Sequence, residues 1–314
     1  MNIAEKTRLI KVKCKELFDD CGIIKPQILK EEAQRFNKWL SMGYHDQMKY
    51  MERNKDKRLN PALLFEEVKS IIVVLLNYYP EKQLSKNSKY LISKYAYGTD
   101  YHFVIKKRLR QLLEYINTEI TEVKGRAFTD SAPILERALA KQAGLGWIGK
   151  NSLLLTKKGS YFFIGELFVN IELEYEHRKS EITSLCGTCT RCIEACPTKA
   201  IIKPYVIDAR KCISNLTIER KPPIPNQFRG KYKQWIFGCD ICQDVCPWNS
   251  RQKPTKISEF EPKPDLLTMK AEDWENLTKQ QFNYLFKNSP LKRRKYSGIM
   301  HNIMFLKNGK KFAN

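Results

Sequence analysis

The spacing of the cysteines constrains this chain most. The run CGTCTRCIEACP (186–197) has the C-x2-C-x2-C-x3-C-P pattern that binds cubane iron–sulfur clusters, with its thiols at Cys186, Cys189, Cys192 and Cys196. A second run, CDICQDVCPWN (239–249), lacks one cysteine of that pattern and contains Cys239, Cys242 and Cys246. Cys212 lies upstream of the second run and is the only obvious replacement. The chain therefore has the ligands for two 4Fe–4S clusters, each of which takes a set of four cysteines.

The two motifs are predicted to exchange ligands. Three closely spaced thiolates can reach one cluster, whereas the fourth, displaced by a helical turn and followed by proline, points toward a neighbouring cluster. One cluster would take Cys186, Cys189, Cys192 and Cys246. The other would take Cys196, Cys212, Cys239 and Cys242. The alternative is a pair of four-cysteine zinc sites, but zinc requires neither the third close cysteine nor the proline.

The charge of the chain is strongly basic. Lys and Arg number 56 against 34 Asp and Glu, which gives a net charge of +22. Such a surplus predicts a polyanionic partner, with nucleic acid favoured over a membrane surface, although a solvated basic surface is the alternative. The N-terminus has no apolar signal segment, and the longest apolar run, 70–79, is too short to span a bilayer. We therefore expect a cytoplasmic protein whose cysteines bind metal and do not form disulfides.

The order of patterns predicts an α+β fold in three segments. An α/β-type catalytic domain is expected over 1–175, a ferredoxin-like two-cluster domain over 176–252, and a basic helical C-terminal segment over 253–314. Helices are predicted to about residue 21, over 27–51, over 101–120 and from Pro133, and strands over 70–79, 126–130, 152–156 and 161–169. Cys14 and Cys21 fall on the first predicted helix, where thiols behave as small buried apolar groups.

The segment FTDSAPILERALAKQAGLGWIGKNSLLL (128–155) is the most informative region outside the cysteine motifs. Asp130 ends a predicted strand, where its carboxylate could face a cleft, or could instead cap the helix that follows. Glycines around Trp147 would let the backbone approach a large flat ligand, although core packing would also explain the tryptophan. No nucleotide-binding glycine motif is present, and His102 is interpreted as a residue at the start of a helix.

Six separated segments together resemble the epoxyqueuosine reductase family. They are KRLNP (57–61), SKYAYGTDYH (93–102), the 128–155 segment, the first cysteine run, KCISNLTIE (211–219) and WIFGCDICQDVCPWN (235–249). The resemblance spans about 30–300 and implies a reductase that depends on base-off cobalamin and two 4Fe–4S clusters, with a core related to reductive dehalogenases. It implies that the enzyme reduces epoxyqueuosine to queuosine at the wobble position of tRNA, the last step of queuosine biosynthesis.

The resemblance also implies roles for individual residues. Asp130 would be the proton donor and would contact the cofactor, and Arg58 and Tyr97 would lie near the corrin. Further cofactor contacts are expected from Leu154, Gly165, Ser214, Thr217, Gly238 and Asp240. Arg220 and Lys221 would touch tRNA, and 292–295 (KRRK) could add backbone contacts or could simply be a solvated helix face.

The expected partners are a tRNA that carries epoxyqueuosine and an unidentified electron donor, with no membrane and a monomeric state. The chain ends at Asn314, so it resembles a short form without the C-terminal helical-repeat domain of many family members. Two other functions stay open at this point. One is a corrinoid and iron–sulfur reductase of a small molecule, similar to reductive dehalogenases, and the other is a non-enzymatic iron–sulfur electron carrier.

Overall fold

The computed structural model describes residues 1–85, 87–176 and 184–309. Its α-helices in these parts are α1 (Ile3–Leu17), α2 (Lys30–Ser41), α3 (Lys55–Leu59), α4 (Tyr101–Tyr115), α5 (Glu136–Gln142), α6 (Arg191–Glu194), α7 (Ile213–Ile218), α8 (Ile241–Asp244), α9 (Pro264–Thr268), α10 (Ala271–Glu275), α11 (Lys279–Leu285) and α12 (Lys295–Gly309). Its strands are β1 (Asp20–Ile24), β2 (Ser70–Asn77), β3 (Leu91–Ile92), β4 (Gly125–Phe128), β5 (Trp147–Ile148), β6 (Leu154–Leu155), β7 (Phe162–Val169), β8 (Ile201–Lys203), β9 (Val206–Ile207) and β10 (Trp235–Phe237).

The centre of the N-terminal part is a four-stranded sheet in the order β1-β2-β7-β4. Each neighbouring pair in it is antiparallel, so β2 and β4 run parallel to each other on either side of β7. The chain passes between them through α4, which lies within the helix predicted over 101–120. All residues of β2 are buried, because both faces of the sheet are covered, and this explains its continuous apolar run. The α+β class is confirmed.

Helices pack on both faces of this sheet. On one face, α1 and α4 contribute Ile10 and Leu109 to a core with alternate residues of β2 and β7. The other face is covered by α5 and neighbouring loops, which contribute Leu139 and Ile134. Gly165 on β7 faces α4, and a β-carbon built there would lie 2.6 Å from Ile105 Cγ2. The close approach of α4 to the sheet therefore explains why residue 165 is a glycine.

A further core joins the middle of the chain to the C-terminal helices. Strand β3 pairs in parallel with β10, and Tyr97 packs in the same core as Trp274 and Ile299. The segment 90–97 thus contributes to the same packed unit as α10 and α12. The three-segment division of the chain stays a prediction. No helix among the described residues is long and apolar enough to cross a membrane.

Several predicted elements have other boundaries. The first helix ends at Leu17, and Cys21 lies in β1, where Gly22 lets the strand approach Ala143 at the end of α5. Over 27–51 the single predicted helix is wrong, because α2 ends at Ser41 before Gly43, whose φ of +64° breaks the helical path. The helix predicted from Pro133 begins at Glu136.

Candidate redox centre and substrate cleft

The described cysteines between 186 and 246 form two neighbouring groups. Burial raises the pKa of the Cys192 thiol, and Cys186, Cys246 and Cys189 raise it further. Burial likewise raises the pKa of Cys239 and Cys242, and both thiols interact with Cys212. Cys242 also interacts with Cys196 and with Cys192, so the two groups lie side by side. These groups have the same members as the two predicted ligand sets, and the assignment of each ligand stays a prediction.

Among the described residues, no set of three or more His, Cys, Asp or Glu side chains converges closely enough to hold a single metal ion. A cubane cluster binds its four cysteines through different iron atoms, and so it needs thiolates on a wider ring.

The glycine-rich segment 144–152 packs against the cysteine loops. Lys150 Nζ donates to the carbonyl oxygens of Gly187 at 2.7 Å and Cys189 at 2.9 Å. Trp147 is 2% exposed and packs edge-on against Trp248, with ring centroids 4.9 Å apart. The core-packing interpretation of Trp147 therefore accounts for its position, and Gly146 approaches Leu155 across the β5–β6 pair.

A buried ion network ties the second cysteine motif to the segment before α4. Asp240 is 1% exposed and accepts hydrogen bonds from the Ser93 hydroxyl and, at 2.8 Å, from the Lys94 N–H. Lys94 Nζ lies 2.6 Å from Asp244 and 3.5 Å from Asp240. Burial alone would lower the pKa of Lys94, but the two aspartates outweigh burial and raise it. Asp240 thus fixes the loop that carries Cys239 and Cys242.

Asp130 lies on an exposed loop that follows β4. Its φ is +44°, a left-handed conformation that non-glycine residues adopt rarely. The Tyr101 hydroxyl donates to Asp130 Oδ2, and the Asp130 N–H donates to Glu136 Oε1. Helix α5 begins at Glu136 without a side-chain cap, so the interpretation of Asp130 as a helix cap is wrong. The structure leaves the Asp130 side chain exposed at the protein surface.

Tyrosines and one arginine lie around Asp130, and we call this part of the surface the cleft. Arg58 is 8% exposed, donates through Nη2 to the Tyr50 carbonyl at 3.1 Å, and has no partner for Nε among the described residues. Burial raises the pKa of Tyr50 to about 12, with contributions from Glu219 and Asp130. Burial also raises the pKa of Tyr95, which interacts with the same two carboxylates. Asp130 and Glu219 therefore border one cleft.

Sequence reasoning missed three of these cleft residues, which are Tyr50, Tyr95 and Tyr101. The segment SKYAYGTDYH contains two of them, but the family resemblance selects Tyr97 from it. The Tyr97 side chain lies in the C-terminal core, where its hydroxyl accepts from the Leu84 N–H at 3.4 Å, and its cofactor role stays a prediction. The sequence signal that could have revealed these residues was the high density of tyrosine in SKYAYGTDYH.

The other predicted cofactor residues are spread over the molecule. Leu154 is buried in the β5–β6 pair, and Gly165 is buried in the central sheet. Thr217 accepts from the Gly238 N–H at 3.0 Å and so orders the chain before Cys239. Ser214 lies half-buried on α7. The described contacts do not bring these residues together with Asp130, and their cofactor roles stay predictions.

The predicted tRNA residues follow α7 beside the cleft. Arg220 pairs with Asp46 at 2.5 Å, and the Lys221 N–H donates to Gln47 at 2.9 Å, while the Lys221 side chain is exposed. The basic run 292–295 is not a free helix face. Arg293 forms a bidentate pair with Glu219, and Arg294 is 8% exposed and donates to the Arg220 carbonyl. His102 lies at the start of α4, as predicted, with its N–H bonded to Asp100.

The two cysteine groups are those of a candidate iron–sulfur protein. A model of the 4Fe-4S double cluster binding domain matches residues 185–249, and a model of epoxyqueuosine reductase QueG matches residues 58–131. The first match favours iron–sulfur clusters over the zinc alternative.

Known proteins resemble the chain over almost its full length. The epoxyqueuosine reductase of Cellulophaga algicola is 54% identical over 98% of this chain and 100% of its own. A crystal structure of an epoxyqueuosine reductase with an epoxyqueuosine-modified tRNA-Tyr stem loop superposes with a TM-score of 0.90 at 27% identity, over 99% of this chain and 83% of that one. The Bacillus subtilis enzyme, with its catalytic aspartate loop swung out of the active site, has a TM-score of 0.89 at 27% identity over 99% and 83% of the two chains. The chain belongs to the epoxyqueuosine reductase family.

Proposed function

We propose that this chain reduces epoxyqueuosine to queuosine at the wobble position of tRNA, the last step of queuosine biosynthesis. The observation that carries the proposal is Asp130, whose exposed carboxylate accepts from the Tyr101 hydroxyl and whose N–H donates to Glu136. The 54% identity to a named epoxyqueuosine reductase over its whole length supports the same function. Neither a small-molecule reductase nor an electron carrier is favoured by any feature of the cleft.

The proposed cofactors are two 4Fe–4S clusters and base-off cobalamin. The two predicted sets of four cysteines would hold the clusters, and Arg58, Asp130 and their neighbours would face the corrin. Arg58 Nε and Trp147 Nε1 are buried donors without a partner among the described residues, and the amide oxygens around a corrin ring could accept from such donors. When bound, the clusters supply single electrons and the corrinoid supplies a strongly reducing cobalt centre.

The chain itself would hold the substrate and deliver protons. Removal of the epoxide oxygen develops negative charge on that oxygen, and a positioned carboxylic acid is the group that protonates it best. Asp130 is the exposed acid of the cleft, and the Tyr101 hydroxyl stabilises its carboxylate after the proton has left. Tyr50 and Tyr95 lie in the same cleft and interact with Asp130.

The substrate would be a base splayed from the anticodon loop. Proteins read single-stranded loops by taking a base into a pocket while basic residues hold the phosphates outside. The exposed Lys221 follows Glu219, which interacts with the cleft tyrosines, and so it lies where a phosphate would pass. We expect the enzyme to act as a monomer in the cytoplasm, since free cysteine ligands need a reducing compartment. An external one-electron donor would reduce the clusters.

The test uses anaerobically purified chain supplied with cobalamin. We expect iron for two 4Fe–4S clusters and one bound cobalt per chain, and conversion of epoxyqueuosine in tRNA detected by mass spectrometry of the nucleosides. Asp130→Asn should keep the iron and tRNA affinity and lose on the order of a hundredfold or more in kcat. Iron without any cobalamin binding or deoxygenation would contradict the proposal and leave an electron carrier.

A further inference from the structure

Lys150 holds its positive charge against the loop of the first cysteine motif. Its Nζ donates to the Gly187 carbonyl at 2.7 Å and to the Cys189 carbonyl at 2.9 Å. The lysine is half-buried, whereas Gly187 and Thr188 in the loop are exposed. None of the ion pairs among the described residues includes Lys150. Its ammonium group therefore bonds neutral carbonyls, which leave its charge uncancelled.

The fold fixes the backbone that carries this lysine. The Lys150 carbonyl accepts from the Tyr205 N–H at 3.0 Å, in the turn between β8 and β9. Trp147, three positions earlier, is buried and packs against Trp248, which follows Cys246 by two positions. Both contacts are made with segments next to the cysteine motifs. The position of the ammonium group is thus set by packing and not by a free surface side chain.

The next residue makes a similar contact with the other cysteine group, but without a charge. Asn151 is 2% exposed, and its Nδ2 donates to the Cys242 carbonyl at 3.4 Å. The lysine near that group is Lys94, whose charge is shared by Asp240 and Asp244 and is therefore more than balanced. The two cysteine groups thus lie in different electrostatic surroundings, and an unbalanced cation is bonded to the loop of only the first.

Charge near an iron–sulfur cluster affects its reduction potential. The potential depends on the net charge of the cluster, on hydrogen bonds and on exposure to solvent. When the external donor supplies one electron, no bond forms or breaks, and the cluster with its thiolates gains one negative charge. A fixed cation nearby therefore stabilises the reduced state more than the oxidised state.

We propose that Lys150 raises the reduction potential of the cluster held by Cys186, Cys189, Cys192 and Cys246, so that this cluster accepts the external electron first. The inference rests on the clusters of the proposed function. Lys150 is a positioning residue, because it acts through the cluster and not on the substrate. The exposed loop beside it is where an electron donor can approach.

Reduction potentials of the anaerobically purified full chain with its clusters test the inference. Electron paramagnetic resonance of samples poised at a series of potentials gives the midpoint potential of each cluster. Lys150→Met should lower one midpoint by about 59 mV, which is a tenfold change in the ratio of reduced to oxidised cluster for a one-electron couple. The other midpoint should change less. Lys150→Arg keeps the charge and should stay close to wild type.

Lys199→Met is the matched control. Lys199 follows Cys196 by three positions, and its side chain is exposed, so water screens its charge. Both midpoints should therefore stay at their wild-type values in this variant. Equal shifts in the Lys150→Met and Lys199→Met chains would contradict the inference, because the total charge of the protein would then determine the potentials.

A further variant separates the charge of Lys150 from its hydrogen bonds. Lys150→Gln can still donate to a carbonyl but has no charge, so it should lower the same midpoint, and it gives the comparison if Lys150→Met binds less iron. Wild-type midpoints in Lys150→Gln would overturn the inference. The measurement uses no tRNA, so the predicted shift in a chain that never deoxygenates epoxyqueuosine would sustain the inference and reject the proposed function. A wild-type chain that binds no iron would reject both.

Discussion

At the scale of single residues, the loop of Asp130 is held against its own conformational preference. A left-handed φ of +44° costs a non-glycine residue about 1–2 kcal/mol, less for Asp than for most. The Thr129 hydroxyl donates to the Ile164 carbonyl at 2.8 Å. Asp130 itself is held by the Tyr101 hydroxyl, which donates to its carboxylate, and by Glu136, which accepts its N–H. Such a loop can present its carboxylate in one direction only.

The Tyr101 hydroxyl is expected to affect kcat more than binding. Tyr101→Phe keeps the stack on Phe163, whose ring centroid lies 4.2 Å away, but removes the donor to Asp130. We expect kcat to fall on the order of tenfold while KM for tRNA and the melting temperature change little. Steady-state kinetics and calorimetry measure this. Tyr175→Phe, which loses a bond to the Lys69 carbonyl at 2.9 Å, is the matched control, and equal effects of both variants would contradict the assignment.

At the scale of elements, the short helix α8 is attached to the segment before α4 by an ion network in which Lys94 and Asp240 are buried. Asp240 precedes α8, Asp244 ends it, and both contact Lys94. The Tyr161 hydroxyl donates to Asp244 at 2.6 Å, and Gln243 Nε2 bonds the Ser160 hydroxyl at 3.2 Å. A helix of this length has almost no stability alone, so the network fixes where its cysteines point.

Removing Asp240 is expected to destabilise this attachment. Asp240→Ala leaves the Ser93 hydroxyl and the Lys94 N–H without an acceptor and removes one of two counter-charges of a lysine that is 7% exposed. Breaking a buried pair costs about 3–5 kcal/mol. Urea unfolding should detect this loss, together with less iron per chain. Ser93→Ala removes one donor only and should cost about 1 kcal/mol. Equal stability of the Asp240→Ala chain and wild type would contradict the structural role.

The elements that could be predicted from sequence are those with strong local patterns. β2 is predictable because its apolar run is continuous, and α4 because its apolar residues recur at helical spacing. β1 escapes prediction because the short DCGII follows a helix directly and gains its strand conformation only by pairing with β2. Strands of two or three residues such as β3 and β10 have no period of their own and depend on each other.

The candidate site also has residues that could be predicted from sequence and residues that could not. The cysteine groups are predictable because the spacing of the motifs is itself the signal, whereas Tyr101 and Asp130 meet across 29 positions of sequence. Glu166 lies inside YFFIGELFV, which the sequence predicts only as a strand. A carboxylate among apolar residues breaks the apolar pattern of this strand, and that break was the sequence signal that could have revealed the buried Glu166.

At the scale of the whole molecule, the basic residues that produce the net charge of +22 differ in whether they are already paired within the protein. Arg293 and Arg294, in the most basic run, are occupied by Glu219 and by the Arg220 carbonyl. Arg220 itself pairs with Asp46. Cations that are already paired within the protein release few counterions when RNA binds, so affinity must depend on exposed lysines such as Lys221.

The salt dependence of tRNA binding should therefore separate neighbouring basic residues. Lys221→Ala should weaken binding of every tRNA similarly and reduce the slope of log K against log salt by about 0.7, the loss of one phosphate contact on a single strand. Arg220→Ala should change the slope less and lower the melting temperature, because it breaks the 2.5 Å pair with Asp46. Binding titrations at several salt concentrations measure both effects, with Lys6→Ala on α1 as the control. If Lys6→Ala reduced the slope as much as Lys221→Ala, the protein would hold tRNA by its overall charge and not by the edge of the cleft.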